Sequence, residues 1–205
     1  MKIDIDVVEE KKEKKALDPK NDVVFHAMFR ENNNRLTAAF ISSVIKEDVT
    51  ITANLDRHLD ISKVVEKFGV MDLNVELSDK TKCNVEMQVV EHTGELDRFL
   101  YYLANSYARQ LKKSELYNEI HRCTNIVMVN HEIDELKRVE GYVTKWTMRD
   151  ETGKNKLTNK FELYIIILPR VEKYYIENIG NDGDKLLDWC KFFKDPYSEE
   201  VKEIM

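Results

Sequence analysis

Glu86 and Gln88 stand two residues apart in the stretch CNVEMQVV (residues 83–90), and side chains of these types can bind a metal ion or a water molecule. Because side chains of a β-strand alternate between its two faces, Asn84, Glu86 and Gln88 share one face. The other face carries Cys83, Val85, Met87 and Val89. This pattern has two explanations. The polar face is open to solvent, or Glu86 and Gln88 line an active site.

A preceding segment can bring a second carboxylate to the same face. Residues 69–77 also alternate, and the polar sequence SDKT follows them, so the two alternating segments predict a β-hairpin. If residues 78–80 connect the strands, Asp72 lies directly opposite Glu86, with about 5 Å between the Cβ atoms, and Gln88 lies on the diagonal. A two-residue turn would put the Asp72 charge on the apolar face, which is unfavourable. The sequence therefore predicts the three-residue connection.

Two carboxylates at this distance repel each other unless a positive charge lies near them. Mg²⁺ prefers oxygen ligands and is usually held by one or two carboxylates together with water and substrate phosphate. Asp72 and Glu86 are therefore candidate metal ligands. The residues alone leave an alternative open, in which both carboxylates lie on a wet sheet face and nearby lysines or arginines relieve their repulsion.

The rest of the chain predicts the elements that surround this hairpin. Helical spacing of apolar residues predicts two helices within 17–48, a long helix within 94–120 and a last helix at 183–195. A short strand is predicted at 49–52, a buried strand at 123–130, and a second hairpin from YVTKWTMRD and KFELYIIILP. The long helix also carries a polar stripe: Arg98, Tyr102, Asn105, Arg109 and Lys112. This order predicts an α/β fold with a mixed central β-sheet flanked by helices.

The composition excludes several classes of protein. The chain has 205 residues and a formal net charge of -6, so it is not a basic protein that coats DNA. Its three cysteines have no zinc-ligand spacing and suggest no disulfide framework, which indicates a reducing, cytoplasmic location. No apolar run approaches the roughly 20 residues that span a bilayer. Residues 1–17 form a predicted charged arm without the apolar region of a secretory signal.

Several motifs, taken in their order along the chain, resemble one known family. They are PKNDVVFHAMF (19–29), GVMDLNVEL (69–77), NVEMQ (84–88) and DRFLYYLANSYARQL (97–111), and LYIIILPRVEK and LLDWCKFF follow them. This set is similar to the PD-(D/E)XK nuclease family transposases, also called recombination-promoting nucleases. The resemblance covers about residues 20–195.

The resemblance implies a restriction-endonuclease-like core and metal-dependent cleavage of DNA, with Mg²⁺ as the cofactor and Mn²⁺ as a substitute. It places Asp72 and Glu86 at the metal-binding positions and Gln88 at the position of the catalytic lysine. Asp22, Arg98 and Tyr102 match further positions that face the site or the substrate, which is DNA. Double-strand cleavage with one active site per chain would favour a homodimer.

Three features depart from the family pattern. Met71 stands where the family name has proline, His26 stands where a lysine is expected, and the chain ends at Met205, which is shorter than expected. The domain prediction is a charged arm (1–17), a nuclease-like domain (18–195) and a C-terminal tail (196–205) that is truncated relative to the family.

Gln88 leaves the catalytic activity open, because a neutral amide offers hydrogen bonds but no permanent charge. Arg98, or Lys82 on the same strand face, could supply that charge. Three hypotheses follow from the sequence. The chain is a metal-dependent DNA endonuclease, a catalytically weak or inactive relative that binds DNA or a protein, or a structural domain with wet strand faces.

Overall fold

The computed structural model describes residues 17–29, 33–55, 73–112, 114–177, 184–199 and 201. The predicted mixed α/β fold is confirmed. Five helices lie in these ranges: α1 (Asp22–Met28), α2 (Asn34–Ile45), α3 (Glu95–Ala108), α4 (Val171–Glu177) and α5 (Lys185–Lys194). Six strands form one sheet: β1 (Ile51–Asn54), β2 (Leu73–Leu77), β3 (Lys82–Gln88), β4 (Cys123–Val129), β5 (Val143–Thr147) and β6 (Phe161–Ile167).

The sheet has the strand order β1-β2-β3-β4-β6-β5. Its centre is parallel, because β4 pairs in parallel with both β3 and β6. Its two sides are antiparallel, since β2 and β3 form the first predicted hairpin and β5 and β6 form the second. The seven residues of β4 are all buried, as expected for a strand with a parallel neighbour on each side and helices on both faces.

The first hairpin has the predicted register. Leu73 lies opposite Val85, and the Leu77 N–H donates to the Thr81 carbonyl at 2.9 Å, so three residues connect the strands. The last of these residues, Lys80, has φ 70°, which is the left-handed conformation that closes a three-residue hairpin loop. The predicted place of Asp72 opposite Glu86 lies outside the described residues.

Apolar cores lie on both faces of the sheet. One core joins α1, α2, α4 and α5 to the face that carries Val75, Val85 and Met87. The other core lies under α3, where Phe99 and Leu103 pack against apolar side chains of β4 and β6. Helix α3 is therefore the described helix that covers the sheet face to which the polar residues of β3 belong.

The long helix is shorter than predicted. It ends at Ala108 instead of continuing to residue 120, and the chain that follows contains a short 3-10 turn, Tyr117–Glu119. The Gln110 side chain accepts from the His121 N–H at 2.9 Å and donates to the His121 carbonyl at 3.0 Å. These two bonds tie the end of the helix to the segment that enters β4, which local periodicity does not reveal.

Other predicted segments fall partly or wholly outside the described ranges. The predicted N-terminal arm does so except for Leu17, which is exposed. In the predicted C-terminal tail, Val201 is buried. None of the helices described is both long and apolar enough to cross a membrane.

Candidate active site

Glu86 is a buried carboxylate. It lies on β3, and only 1% of its surface is exposed, while Asn84 on the same face is 4% exposed. Strand alternation directs the neighbours Val85 and Met87 into the opposite core. The alternative of a wet sheet face is therefore wrong for Asn84 and Glu86, because α3 covers this face.

Three polar side chains of the described residues surround the Glu86 carboxylate. Asn84 Nδ2 donates to Glu86 Oε1 at 2.6 Å, which is a short, charge-assisted hydrogen bond. Gln88 Nε2 lies 3.5 Å from Oε2, and Arg98 Nη2 lies 3.8 Å from the same oxygen. Oε1 is thus held closely by one amide, whereas Oε2 has longer contacts with a second amide and a guanidinium.

Arg98 lies in the first turns of α3, on the side that faces β3. Its Cζ atom lies 5.8 Å from the ring centre of Phe99 and 5.9 Å from that of Tyr102. These distances are within the range of cation–π attraction, so the two rings help to hold the guanidinium. Arg98 Nε is buried and has no hydrogen-bond partner among the described residues, which leaves one donor available near the carboxylate.

The comparisons with known proteins agree with this geometry. A family model described as PD-(D/E)XK nuclease family transposase matches residues 19–205. The chain belongs to this family. No curated protein and no solved structure matches the chain significantly. The predicted restriction-endonuclease-like α/β fold is confirmed, since a mixed sheet flanked by helices fits the fold of PD-(D/E)XK nucleases.

The structure brings some of the residues predicted for a PD-(D/E)XK site together and not others. Glu86, Gln88, Arg98 and Tyr102 form one cluster. Tyr102 is only 9% exposed, so the polar stripe of α3 is not a uniformly solvated face.

Asp22 is not among the residues that the described contacts bring together. It is exposed in the first turn of α1, a helix whose buried residue Phe25 belongs to the core on the opposite face of the sheet. No described contact joins Asp22 to the Glu86 cluster. Lys82, an alternative source of positive charge, forms an ion pair with Glu76 near the hairpin turn.

Sequence reasoning missed two polar pairs close to this cluster. Asn84 Nδ2 donates to Asn125 Oδ1 at 2.9 Å, and Asn125 on β4 is 1% exposed. His131 Nε2 lies 2.8 Å from Glu95 Oε2, which joins the start of α3 to the segment after β4. The available signal for the first pair was a single asparagine within the otherwise buried sequence CTNIVMV.

Thiol chemistry is excluded near this site. Burial raises the pKa of the Cys83 and Cys123 thiols to about 12, so almost no thiolate exists at neutral pH. Burial also raises the pKa of Cys190. All three cysteines are buried and free, and they behave as small core residues.

The donor chemistry of the cluster fits a hard divalent cation. A buried carboxylate and an amide are oxygen donors, and Mg²⁺ completes such sites with water molecules. Within the described ranges, no group of three or more His, Cys, Asp or Glu residues is placed to hold a metal ion. Glu86 is therefore the described carboxylate of this site, and Asp72 is the second carboxylate that the sequence predicts.

A second charged cluster lies at the amino ends of the parallel strands, whereas Glu86 lies near their carboxyl ends. Arg122 precedes β4 and donates to both carboxylate oxygens of Glu47, at 2.9 and 2.8 Å. This hydrogen bonding holds the pKa of Glu47 below its usual range. A pocket of about 310 Å³ beside Arg122 is lined by charges of both signs, and two of its acids, Glu47 and Asp79, already pair with Arg122. These contacts indicate a structural cluster that ties α2 and the first hairpin to β4.

Proposed function

We propose that this chain is a metal-dependent DNA endonuclease that hydrolyses phosphodiester bonds. The observation that carries the proposal is the buried Glu86 carboxylate, which is oriented by Asn84 and lies 3.8 Å from Arg98. Burying a carboxylate is costly unless partners compensate its charge, and a bound divalent cation would supply this compensation at Glu86. Membership of the PD-(D/E)XK nuclease family transposases supports the same function.

In this proposal, Glu86 and Asp72 hold Mg²⁺, and Mn²⁺ can take its place. When bound by these residues, the cation would activate a water molecule for attack and would offset negative charge on the phosphate. The Gln88 amide orients the attacking water by hydrogen bonding. Arg98 contacts the scissile phosphate and supplies the permanent positive charge that Gln88 lacks.

Tyr102 supports Arg98 in this proposal. A ring that is 9% exposed offers little area for stacking on a base, but it lies within cation–π distance of the guanidinium. Asp22 remains a predicted substrate contact without support from its position. The nuclease-like domain at 18–195, the homodimer and the cytoplasmic location also remain predictions.

The test is nicking of supercoiled plasmid DNA in the presence of Mg²⁺ or Mn²⁺. We expect the wild-type chain to convert supercoiled to open-circular DNA, and we expect EDTA or the substitution Glu86→Gln to abolish this activity. Equal cleavage by Glu86→Gln would contradict the proposal. If neither protein cleaves but the wild type retards labelled DNA in Ca²⁺, the alternative of an inactive DNA-binding relative is correct instead.

A further inference from the structure

Asn125 is a polar residue in an unusual place. It lies in the middle of the fully buried central strand β4, and the other described β4 residues on its face, Cys123, Val127 and Val129, belong to the core under α3. Burying an unpaired amide costs several kcal/mol on hydrocarbon transfer scales, so buried amides are normally hydrogen bonded. Asn125 meets this need through a chain of amides that ends at Glu86.

The chain has four members in a fixed order. Asn125 Nδ2 donates to the Phe99 carbonyl of α3 at 3.3 Å, and Asn125 Oδ1 accepts from Asn84 Nδ2 at 2.9 Å. The same Asn84 Nδ2 group donates to Glu86 Oε1 at 2.6 Å. Asn84 and Asn125 are direct partners in the parallel register of β3 and β4, so the backbone itself places the two amides side by side.

The direction of this chain follows from its two ends. A backbone carbonyl and an ionised carboxylate can only accept hydrogen bonds. Asn125 must therefore turn its NH₂ group to Phe99 and its oxygen to Asn84. Asn84 must then turn its NH₂ group to both Asn125 and Glu86, since the flipped amide would place its oxygen against two acceptors. Asn84 adopts this orientation even though its oxygen, Oδ1, is then buried without a hydrogen-bond partner among the described residues.

We propose that Asn84 and Asn125 are positioning residues that fix the Glu86 carboxylate relative to helix α3. The chain starts at the Phe99 carbonyl, next to Arg98, so the turn of α3 that carries Arg98 also sets the orientation of Glu86. With Oε1 held by Asn84, Oε2 faces Gln88 and Arg98 and is the oxygen presented to a cation. The role in metal binding rests on the proposed nuclease function, whereas the positioning of Glu86 does not.

A purely structural role makes a different prediction. If the amides only stabilise the packing of α3 on the sheet, their loss lowers stability but leaves the affinity of Glu86 for a cation unchanged. If they position Glu86, replacing Asn125 weakens cation binding even though Asn125 touches neither Glu86 nor the cation. Partners of this kind typically change metal affinity by about 10- to 100-fold.

The experiment compares Asn125→Val with Thr124→Val in the full chain. Thr124 is the adjacent residue on β4; it is 2% exposed, and its hydroxyl has no hydrogen-bond partner among the described residues. Mn²⁺ affinity is measured by isothermal titration calorimetry, and the thermal midpoint is measured without metal. We expect Asn125→Val to weaken Mn²⁺ binding about 10- to 100-fold and Thr124→Val to change it less than about twofold. If Asn125→Val does not fold, Asn125→Ser replaces it, because the shorter hydroxyl cannot bridge Phe99 and Asn84.

A metal-free measurement separates this inference from the proposed function. The midpoint shifts of Asn125→Val and Glu86→Gln, singly and combined, form a double-mutant cycle. We expect these two shifts not to add, and we expect the shifts of Thr124→Val and Glu86→Gln to add. If the wild-type protein binds no Mn²⁺, this result counts against the proposed function. The metal-free double-mutant cycle would still test whether Asn125 positions Glu86. Additive shifts for Asn125 and Glu86, or unchanged Mn²⁺ affinity in a folded Asn125 variant, would overturn the inference.

Discussion

Replacing Arg98 with methionine should destabilise the metal-free protein, and added Mn²⁺ should reverse most of the loss. Methionine keeps the length of the side chain beside Phe99 and Tyr102 but removes the charge. The described structure places Arg98 Nη2 3.8 Å from Glu86 Oε2, and the Glu86 side chain is 2% exposed. The substitution therefore removes a cation from the neighbourhood of a buried carboxylate, and a cation bound by Glu86 would restore positive charge there.

The size of the effect follows from the distance and the exposure. Two unit charges at 3.8 Å attract each other by about 4 kcal/mol at an effective dielectric constant of about 20. The Arg98 side chain is 31% exposed, so water screens part of this attraction. We therefore expect a loss of about 2 kcal/mol in the free energy of unfolding, which lowers the melting temperature of a chain of this size by roughly 4–8 °C.

The assay is thermal unfolding, followed by circular dichroism with and without Mn²⁺. Arg138→Met is the matched control, because Arg138 is exposed and the same substitution there should leave the melting temperature within about 2 °C of the wild type. Unfolding of Arg98→Met at the wild-type temperature would contradict this prediction. Strong stabilisation of the wild type by Mn²⁺, without any stabilisation of Arg98→Met, would contradict it as well.

Three further predictions concern the rest of the molecule. Phe193→Ala should lower the free energy of unfolding, measured by chemical denaturation, by about 3–5 kcal/mol, because Phe193 is fully buried and packs against four other phenylalanines. Replacing its half-buried neighbour Phe192 with alanine should lower this free energy less, and equal losses would contradict this packing. Hydrogen bonds from Arg122 and Lys82 lower the pKa of Glu47 and Glu76, respectively, in the folded protein. These carboxylates therefore stabilise the fold above the pKa of a glutamate in the unfolded chain, about 4.3, and lose this effect as the pH falls further. The melting temperature should therefore decline more steeply below pH 4.3 in the wild type than in a Glu47→Gln, Glu76→Gln double variant, and parallel curves would contradict the assignment. The three buried thiols should react with Ellman's reagent at pH 8 only after denaturation, and rapid reaction of a native thiol would show that one is accessible.

The register of the first hairpin could be predicted because the alternation of polar and apolar residues and the length of the turn favour the same pairing. Only the three-residue connection keeps a charged residue off the apolar face, and Lys80 adopts the left-handed conformation that this connection needs. The buried central strand β4 could also be predicted, because a run of apolar residues bounded by polar segments fits a strand covered on both faces.

Other features depend on contacts that are distant in sequence. The apolar spacing of α3 continues to Leu111, but the hydrogen bonds of Gln110 to His121 end the helix earlier. Alternation along β3 shows which residues share a face, but it does not show that α3 buries that face. The pairing of Asn84 with Asn125 requires the parallel register of two strands that are 41 positions apart, which no local pattern reports.

The proposed nuclease function requires the carboxylate of Glu86 for metal-dependent cleavage of DNA. The chain offers a matched control in Glu162, which is 2% exposed and lies at the other end of the sheet, beside Lys145 and Lys156. The most direct test is the single-turnover rate of cleavage of a labelled DNA duplex at increasing Mn²⁺ for the wild type, Glu86→Gln and Glu162→Gln. We expect the cleavage rate of the wild type and of the folded Glu162 variant to saturate with Mn²⁺, and we expect a rate at least about 100-fold lower for Glu86→Gln. Cleavage by Glu86→Gln at the wild-type rate and with the same Mn²⁺ dependence would contradict the proposed function.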